Sequence, residues 1–232
     1  MWLWMFFRLI CIVLVACSSL GKTGEPNEHI FETNQEEAHV VHVGDTTAAS
    51  YILHSDKNEL IIIDTGGANN NPVLERLSAE GVAPEDVRKV FLTHAHGNHI
   101  GGIHLFPNAE IYALESERDA LMEEGIVLDV GLNDAQVISV GSSELEVFAV
   151  PGHSMGNAAY RFNKLLIMGD SAIAQDDGTI APILSNADDA QLAHDSLVSL
   201  KIKLQDRQEE FDYMLFSHSS SLIGIDALLQ YD

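Results

Sequence analysis

The segment Thr93-His94-Ala95-His96-Gly97-Asn98-His99-Ile100-Gly101-Gly102 constrains this chain more than any other, because it sets three imidazoles within six residues directly after an apolar run. Imidazoles at that density are a metal-ligating pattern. Three further segments extend it. Pro151-Gly152-His153-Ser154, Met168-Gly169-Asp170-Ser171 and Phe216-Ser217-His218-Ser219 each place one ligand-type side chain just after a strand-like run. Singly, each has an ordinary reading: His96 and His99 as loop histidines bonded to backbone, Asp170 as a turn or cap residue. Together they outline a site.

Periodicity predicts strands over 38–43, 50–54, 60–64, 89–93, 110–113, 136–140, 144–150, 158–162, 165–168 and 212–216. Helices are predicted over 72–79, with Pro72 in the first turn and Gly81 past the end, and over 116–124, closed by Gly125. A third covers 188–204, where Leu192, Leu197, Leu200 and Leu204 mark an apolar stripe while Lys201, Lys203 and Asp206 face water and His194 lies on the surface. A short helix ends the chain. The mixture is α/β, and Asp64, His94, His153, Asp170 and His218 all fall at or just beyond the end of a strand, where loops at one sheet edge converge.

Residues 1–16 hold one charge, Arg8, followed by an apolar run over 9–15, and read as an export signal too short to be a permanent membrane span. Leu14-Val15-Ala16-Cys17 resembles the lipobox of bacterial lipoproteins, in which cleavage leaves the cysteine as a lipidated first residue. This implies an exported protein on the periplasmic face, touching the membrane only through a lipid anchor at Cys17. The polar stretch 17–34, with Gly21, Gly24 and Pro26, reads as a flexible tether, leaving 35–232 as one domain. Cys11 and Cys17 are the only cysteines, so a metal in the mature domain must be held by histidine and carboxylate. With 35 acidic against 12 basic residues the formal net charge is −23. That field repels polyanions and argues against nucleic acid as a partner; its simplest origin is solubility in a salty medium.

From 38 onward the residues resemble the metallo-β-lactamase superfamily, whose members share a four-layered αβ/βα sandwich and a His-x-His-x-Asp-His metal motif. The resemblance implies that His94, His96 and His153 hold one metal ion, that Asp170 bridges to a second, and that His99 and His218 complete the second site. It makes Asp64, in Ile-Asp-Thr-Gly, the buried carboxylate that props the histidine loop, and Asp170 and Asn98 the catalytic positions. The implied cofactor is zinc, one or two ions, with iron as the alternative. Three neutral imidazoles and a carboxylate suit zinc with an open position for water, whose pKa falls from 15.7 toward about 7 on binding. Gly97, Gly101 and Gly102 would let the backbone turn tightly beside the ions.

One residue departs from the motif. Asn98 stands where the family has aspartate; an uncharged amide is a poorer ligand and no general base, so the second ion should bind weakly or not at all. The implied activity is hydrolysis of an ester, lactone, thioester or β-lactam-like amide in a small-molecule substrate. Two alternatives stay open: an iron oxygenase on His94, His153 and Asp170, similar to the family's persulfide dioxygenases, and a ligand-binding member without turnover. Fourteen residues follow His218, too few for the helical domain with which glyoxalase II holds glutathione thioesters, and no lysine or arginine follows Asp170 closely to hold a β-lactam carboxylate. By elimination, a neutral ester, lactone or thioester fits the acidic field best.

Overall fold

The computed structural model of the protein describes residues 27–32, 39–44, 48–55, 59–68 and 71–232. The expected signal over 1–16 and Cys17 lie outside them. Among the described residues no helix is long and apolar enough to cross a membrane.

Strands β1 (Asn27–Glu32), β2 (His39–Gly44), β3 (Ala49–His54), β4 (Leu60–Ile63), β5 (Lys89–Phe91), β6 (Glu110–Leu114) and β7 (Val130–Leu132) form one sheet in that order. Pairing is antiparallel from β1 to β4 and parallel from β4 to β7. Strand β1 lies in the stretch expected to be tether. Its Asn27 stands opposite Gly44 and its Glu32 opposite His39; the segment is too polar to announce a strand, but the open edge of β2 supplies its ladder. The second sheet contains β8 (Val137–Val140), β9 (Ser143–Ala149), β10 (Ala158–Phe162) and β11 (Leu165–Ile167). A hairpin of β12 (Ile173–Ala174) and β13 (Ile180–Ala181) stands apart, and β14 (Tyr213–Leu215) and β15 (Leu222–Ile223) complete the second sheet in the order β15-β14-β11-β10-β9-β8.

The strands explain the layers. In β4 the run Ile61-Ile62-Ile63 is fully buried, yet Ile61 and Ile63 enter one core and Ile62 another, as a strand's period of two requires. The middle core sits between the sheets, where Tyr51, Phe91 and Tyr112 meet Val147, Tyr160 and Ile167. On the outer face of the first sheet, Ile52, Val90 and Leu92 pack with Val73 and Leu77 of α1 (Pro72–Ala79). Helices α2 (Gly97–Ile100) and α3 (Arg118–Glu123) lie between that sheet's later strands in the chain. On the outer face of the second sheet, Ala159, Leu166 and Met214 pack with Leu197, Leu200 and Leu204 of α4 (Ala190–Leu204) and Leu228 of α5 (Asp226–Leu229). The result is a four-layered αβ/βα sandwich.

Helix starts follow the sequence signals: the Asn71 side chain accepts from Val73 N–H at the head of α1, and Asp189 from Leu192 N–H at the head of α4. The helix expected over 116–124 is shorter, since Glu115–Glu117 form a 3₁₀ turn before α3 begins. At one edge the sheets are stitched together, Ala158 N–H donating to Thr93 O at 2.9 Å and Ala49 N–H to Ser217 O at 3.0 Å.

Candidate metal centre

From the first sheet come Asp64, after β4, and the histidine loop, after β5. Asp64 is fully buried and holds a positive φ of 57°. Its Oδ1 accepts from Thr93 N–H at 2.8 Å, and its Oδ2 lies 2.7 Å from Thr93 Oγ1 and 2.8 Å from His99 Nδ1. Thr93 Oγ1 in turn lies 2.9 Å from His94 Nδ1. Since a carboxylate can only accept, the chain reads His94 Nδ1–H to Thr93 hydroxyl to Asp64, with His99 Nδ1–H donating to the same oxygen. One carboxylate thereby fixes both tautomers and bares Nε2 on each ring. Gly101 and Gly102 close the loop against the strand-end turn: a Cβ on Gly101 would come within 2.6 Å of Ala68 N, and one on Gly102 within 2.5 Å of Thr65 O. A Cβ on Gly97 meets nothing, so the tight approach expected of three glycines rests on two.

From the second sheet come His153, Asp170 and His218. His153 donates from Nδ1 to the Ile183 carbonyl at 2.9 Å, which turns its Nε2 inward, 3.0 Å from His96 Nδ1. Asp170 sits at the centre: its Oδ2 is 3.3 Å from His153 Nε2, and its Oδ1 is 3.2 Å from both His99 Nε2 and His218 Nε2.

Two groups of ligand atoms converge, each within 4.8 Å of one another: His94, His96 and His153, and His94, His99 and Asp170. Nε2 of His94, Nε2 of His99 and Oδ1 of Asp170 are buried without a hydrogen-bond partner; the 3.2 Å contact of His99 with Asp170 is too far off line to count as one. Unpartnered buried polar atoms are rare, and three aimed at one point need a shared partner. A divalent cation is such a partner, and neutral nitrogen with carboxylate oxygen is a donor set it accepts.

The electrostatics treat the rings differently. Burial, aided by neighbouring imidazoles, lowers the His94 and His96 pKa values and keeps them in the neutral form that ligates. For His99 burial acts the same way, but Asp64 and Asp170 outweigh it and push the pKa up to about 10. Burial would raise Asp170; its contacts with His153, His218 and His99 reverse that and hold it well below the usual carboxylate range.

Every ligand-type residue singled out in the sequence thus lies in one cluster. His218 joins through Asp170 rather than through either three-ligand group, and Asn98 stands beside it at the rim, Nδ2 3.5 Å from His218 Nε2. Thr93, the relay between Asp64 and His94, and the Ile183 carbonyl carry no sequence signal, since a threonine and a peptide carbonyl acquire such roles only from their neighbours. His194, expected at the surface, is half-buried with Nδ1 2.8 Å from the Tyr231 hydroxyl, because the chain end packs back over α4.

A family model described as the metallo-beta-lactamase superfamily matches residues 43–216. Metallo-beta-lactamase domain-containing protein 1 of Mus musculus is 46% identical over 94 residues, which are 40% of this chain and 35% of that protein. Hydroxyacylglutathione hydrolase of Pectobacterium carotovorum is 30% identical over 138 residues, 56% of this chain and 49% of that one. The chain thus spans half or less of the length of these curated relatives. The solved metallo-beta-lactamase from Pontibacter korlensis superposes with a TM-score of 0.67 at 19% identity, covering 87% of this chain and 95% of that one, a likeness of fold. With the matched region running from β3 to β14 and holding all the clustered histidines except His218, the chain belongs to the metallo-beta-lactamase superfamily.

Proposed function

We propose that this protein is a metal-dependent hydrolase acting on a small neutral ester, lactone or thioester. The observation that carries this reading is the convergence of imidazole nitrogens and the Asp170 carboxylate in two adjoining groups that share His94. In it His94, His96 and His153 would hold one ion, and Asp170, with His99 and His218 beside it, would border a second. A zinc ion so held supplies a bound water acidified from 15.7 to about 7. The chain's own residues orient: Asp64 and Thr93 keep His94 and His99 in register, Ile183 keeps His153 turned inward, and Asp170, held ionised, would accept a hydrogen bond from a water at the ion. Asn98, uncharged at the rim, offers an amide to substrate and weakens the second metal position. Met155 and Leu184, both more than half exposed and near in sequence to His153 and Ile183, are apolar side chains available to an acyl group. The acidic surface disfavours anionic substrates.

The test is metal analysis of purified protein together with hydrolysis of a panel of esters, lactones, thioesters including hydroxyacylglutathione, and β-lactams. About one zinc per chain is expected, with at least one substrate class turned over, and His96→Ala should lose both. Full metal content with no turnover across the panel would leave a ligand-binding role. A second reading, iron-dependent oxygenation, has one observation in its favour: Nε2 of His94 and of His153 lie 4.0 and 3.3 Å from Asp170 Oδ2, a two-histidine, one-carboxylate set. Oxygen uptake by iron-loaded protein with a persulfide would establish it.

We further propose export and lipid anchoring at Cys17, supported by Leu14-Val15-Ala16-Cys17 after the apolar run. Mass spectrometry of the mature amino terminus decides: an unmodified first residue beyond 17 excludes the anchor.

A further inference from the structure

Glu117 is a buried carboxylate with no part in the ligand set, 1% exposed in a segment otherwise open to solvent. Burying an ionisable group is costly unless it is hydrogen-bonded, and here both oxygens are. Its Oε1 accepts from the backbone N–H of Ala95 at 2.7 Å; its Oε2 accepts from the Ser154 hydroxyl at 2.8 Å and from the backbone N–H of Gly156 at 2.7 Å. Gly156 is required for that approach, since a Cβ there would come within 2.6 Å of Glu117 Cβ and Oε2.

The three donors lie on two loops. Ala95 sits between His94 and His96 on the loop from the first sheet; Ser154 and Gly156 follow His153 on the loop from the second. These loops bring His96 Nδ1 and His153 Nε2 to 3.0 Å. His94 and His99 are propped through their rings by Thr93 and Asp64, and His153 by Ile183. The His96 ring has His153 as its one hydrogen-bond partner among the described residues, so its place depends on the backbone that carries it, and Glu117 holds that backbone.

We propose that Glu117 is a positioning residue that clamps the two histidine loops together from behind, setting the spacing of His96 and His153 for the metal; this rests on the metal-centre reading. Both oxygens must accept, so a glutamine would face one backbone N–H with its own NH₂.

The test uses Co²⁺ alone as probe, with its d–d absorption reporting coordination, and hydrogen exchange on the metal-free protein. Glu117→Gln is expected to bind Co²⁺ about 10–100-fold more weakly, with displaced absorption bands and faster exchange at the Ala95 and Gly156 amides. Ser154→Ala, which removes one of the three hydrogen bonds, should shift affinity the same way by less. Leu77→Ala, in α1 on the outer face of the first sheet, lowers stability and should keep the wild-type affinity and spectrum. Wild-type affinity and bands in Glu117→Gln overturn the clamp and leave the metal centre standing, as does a loss no larger than that of Leu77→Ala. If Glu117→Gln does not fold, unchanged affinity and unchanged Gly156 exchange in Ser154→Ala overturn it. Wild-type protein that takes up no Co²⁺ overturns the metal centre and the clamp with it.

Discussion

Asp64 holds a left-handed backbone angle inside the protein, a conformation that few residues besides glycine, asparagine and aspartate adopt without strain. Asp64→Asn therefore removes the charge while keeping the backbone, but its NH₂ group opposes the Thr93 hydroxyl or the His99 Nδ1–H. Zinc affinity should fall about 10–100-fold, read by chelator competition, with the far-ultraviolet circular dichroism unchanged. Glu146 shows the same economy away from the site. It stands on the outer face of β9, where Arg207 reaches it at 2.6 Å and Arg161 at 3.1 Å. Burial pushes its carboxyl up, but the two arginines prevail and hold it below its ordinary 4.5. A carboxyl lowered by folding adds stability above its unfolded pKa and loses it as pH falls through the folded value. Glu146→Gln should accordingly cost about 2 kcal/mol at pH 7, and the gap to wild type should close as the pH drops below 4.5, measured by denaturant midpoints at pH 7 and pH 3.

Among the elements, α4 links packing to the site. Its apolar face seals the outer core of the second sheet, while its amino-terminal approach holds the His153 loop: Asp189 N–H donates to Gly152 O at 2.9 Å and Asp188 N–H to His153 O at 3.1 Å. Packing and capping in this helix separate by mutation. Leu197→Ala empties a fully buried position and should cost about 3 kcal/mol with metal affinity preserved. Asp189→Ala removes the cap on Leu192 N–H and should cost about 1 kcal/mol. Both are checked by denaturant unfolding, and equal losses would show that the cap contributes more than its hydrogen bond.

Across the whole molecule, the candidate metal centre is a seam. His94, His96 and His99 arrive on the first sheet's loop, His153, Asp170 and His218 from the second sheet; Asp64 and Thr93 prop the first group, Ile183 props His153, and Glu117 of the first half bonds to both loops. A bound ion therefore ties the two halves together and stabilises the folded chain by mass action, about 4 kcal/mol at a thousandfold excess over Kd. Chelation should lower Tm by about 10 °C for a domain of this size, and His96→Ala should abolish that difference. An equal Tm with and without metal would mean that the site does not join the sheets.

The sandwich and its ligand-type side chains were legible because they depend on local rules. Ile61-Ile62-Ile63 and Leu165-Leu166-Ile167 alternate between two cores, strand ends announce loops, and histidine spacing survives in one dimension. Glu117 was not legible, lying among Glu115, Asp119, Glu123 and Glu124 in what reads as a solvated acidic face. Neither were β1, which needs the edge of β2, nor Gly97, which has open space where two neighbouring glycines have none. The sequence alone determined the strand and helix periods and the side chains able to bind an ion. Tertiary structure alone decided which nitrogen each ring bares and which carboxylate holds two loops together, because tautomers and buried hydrogen bonds are set by neighbours distant in the chain.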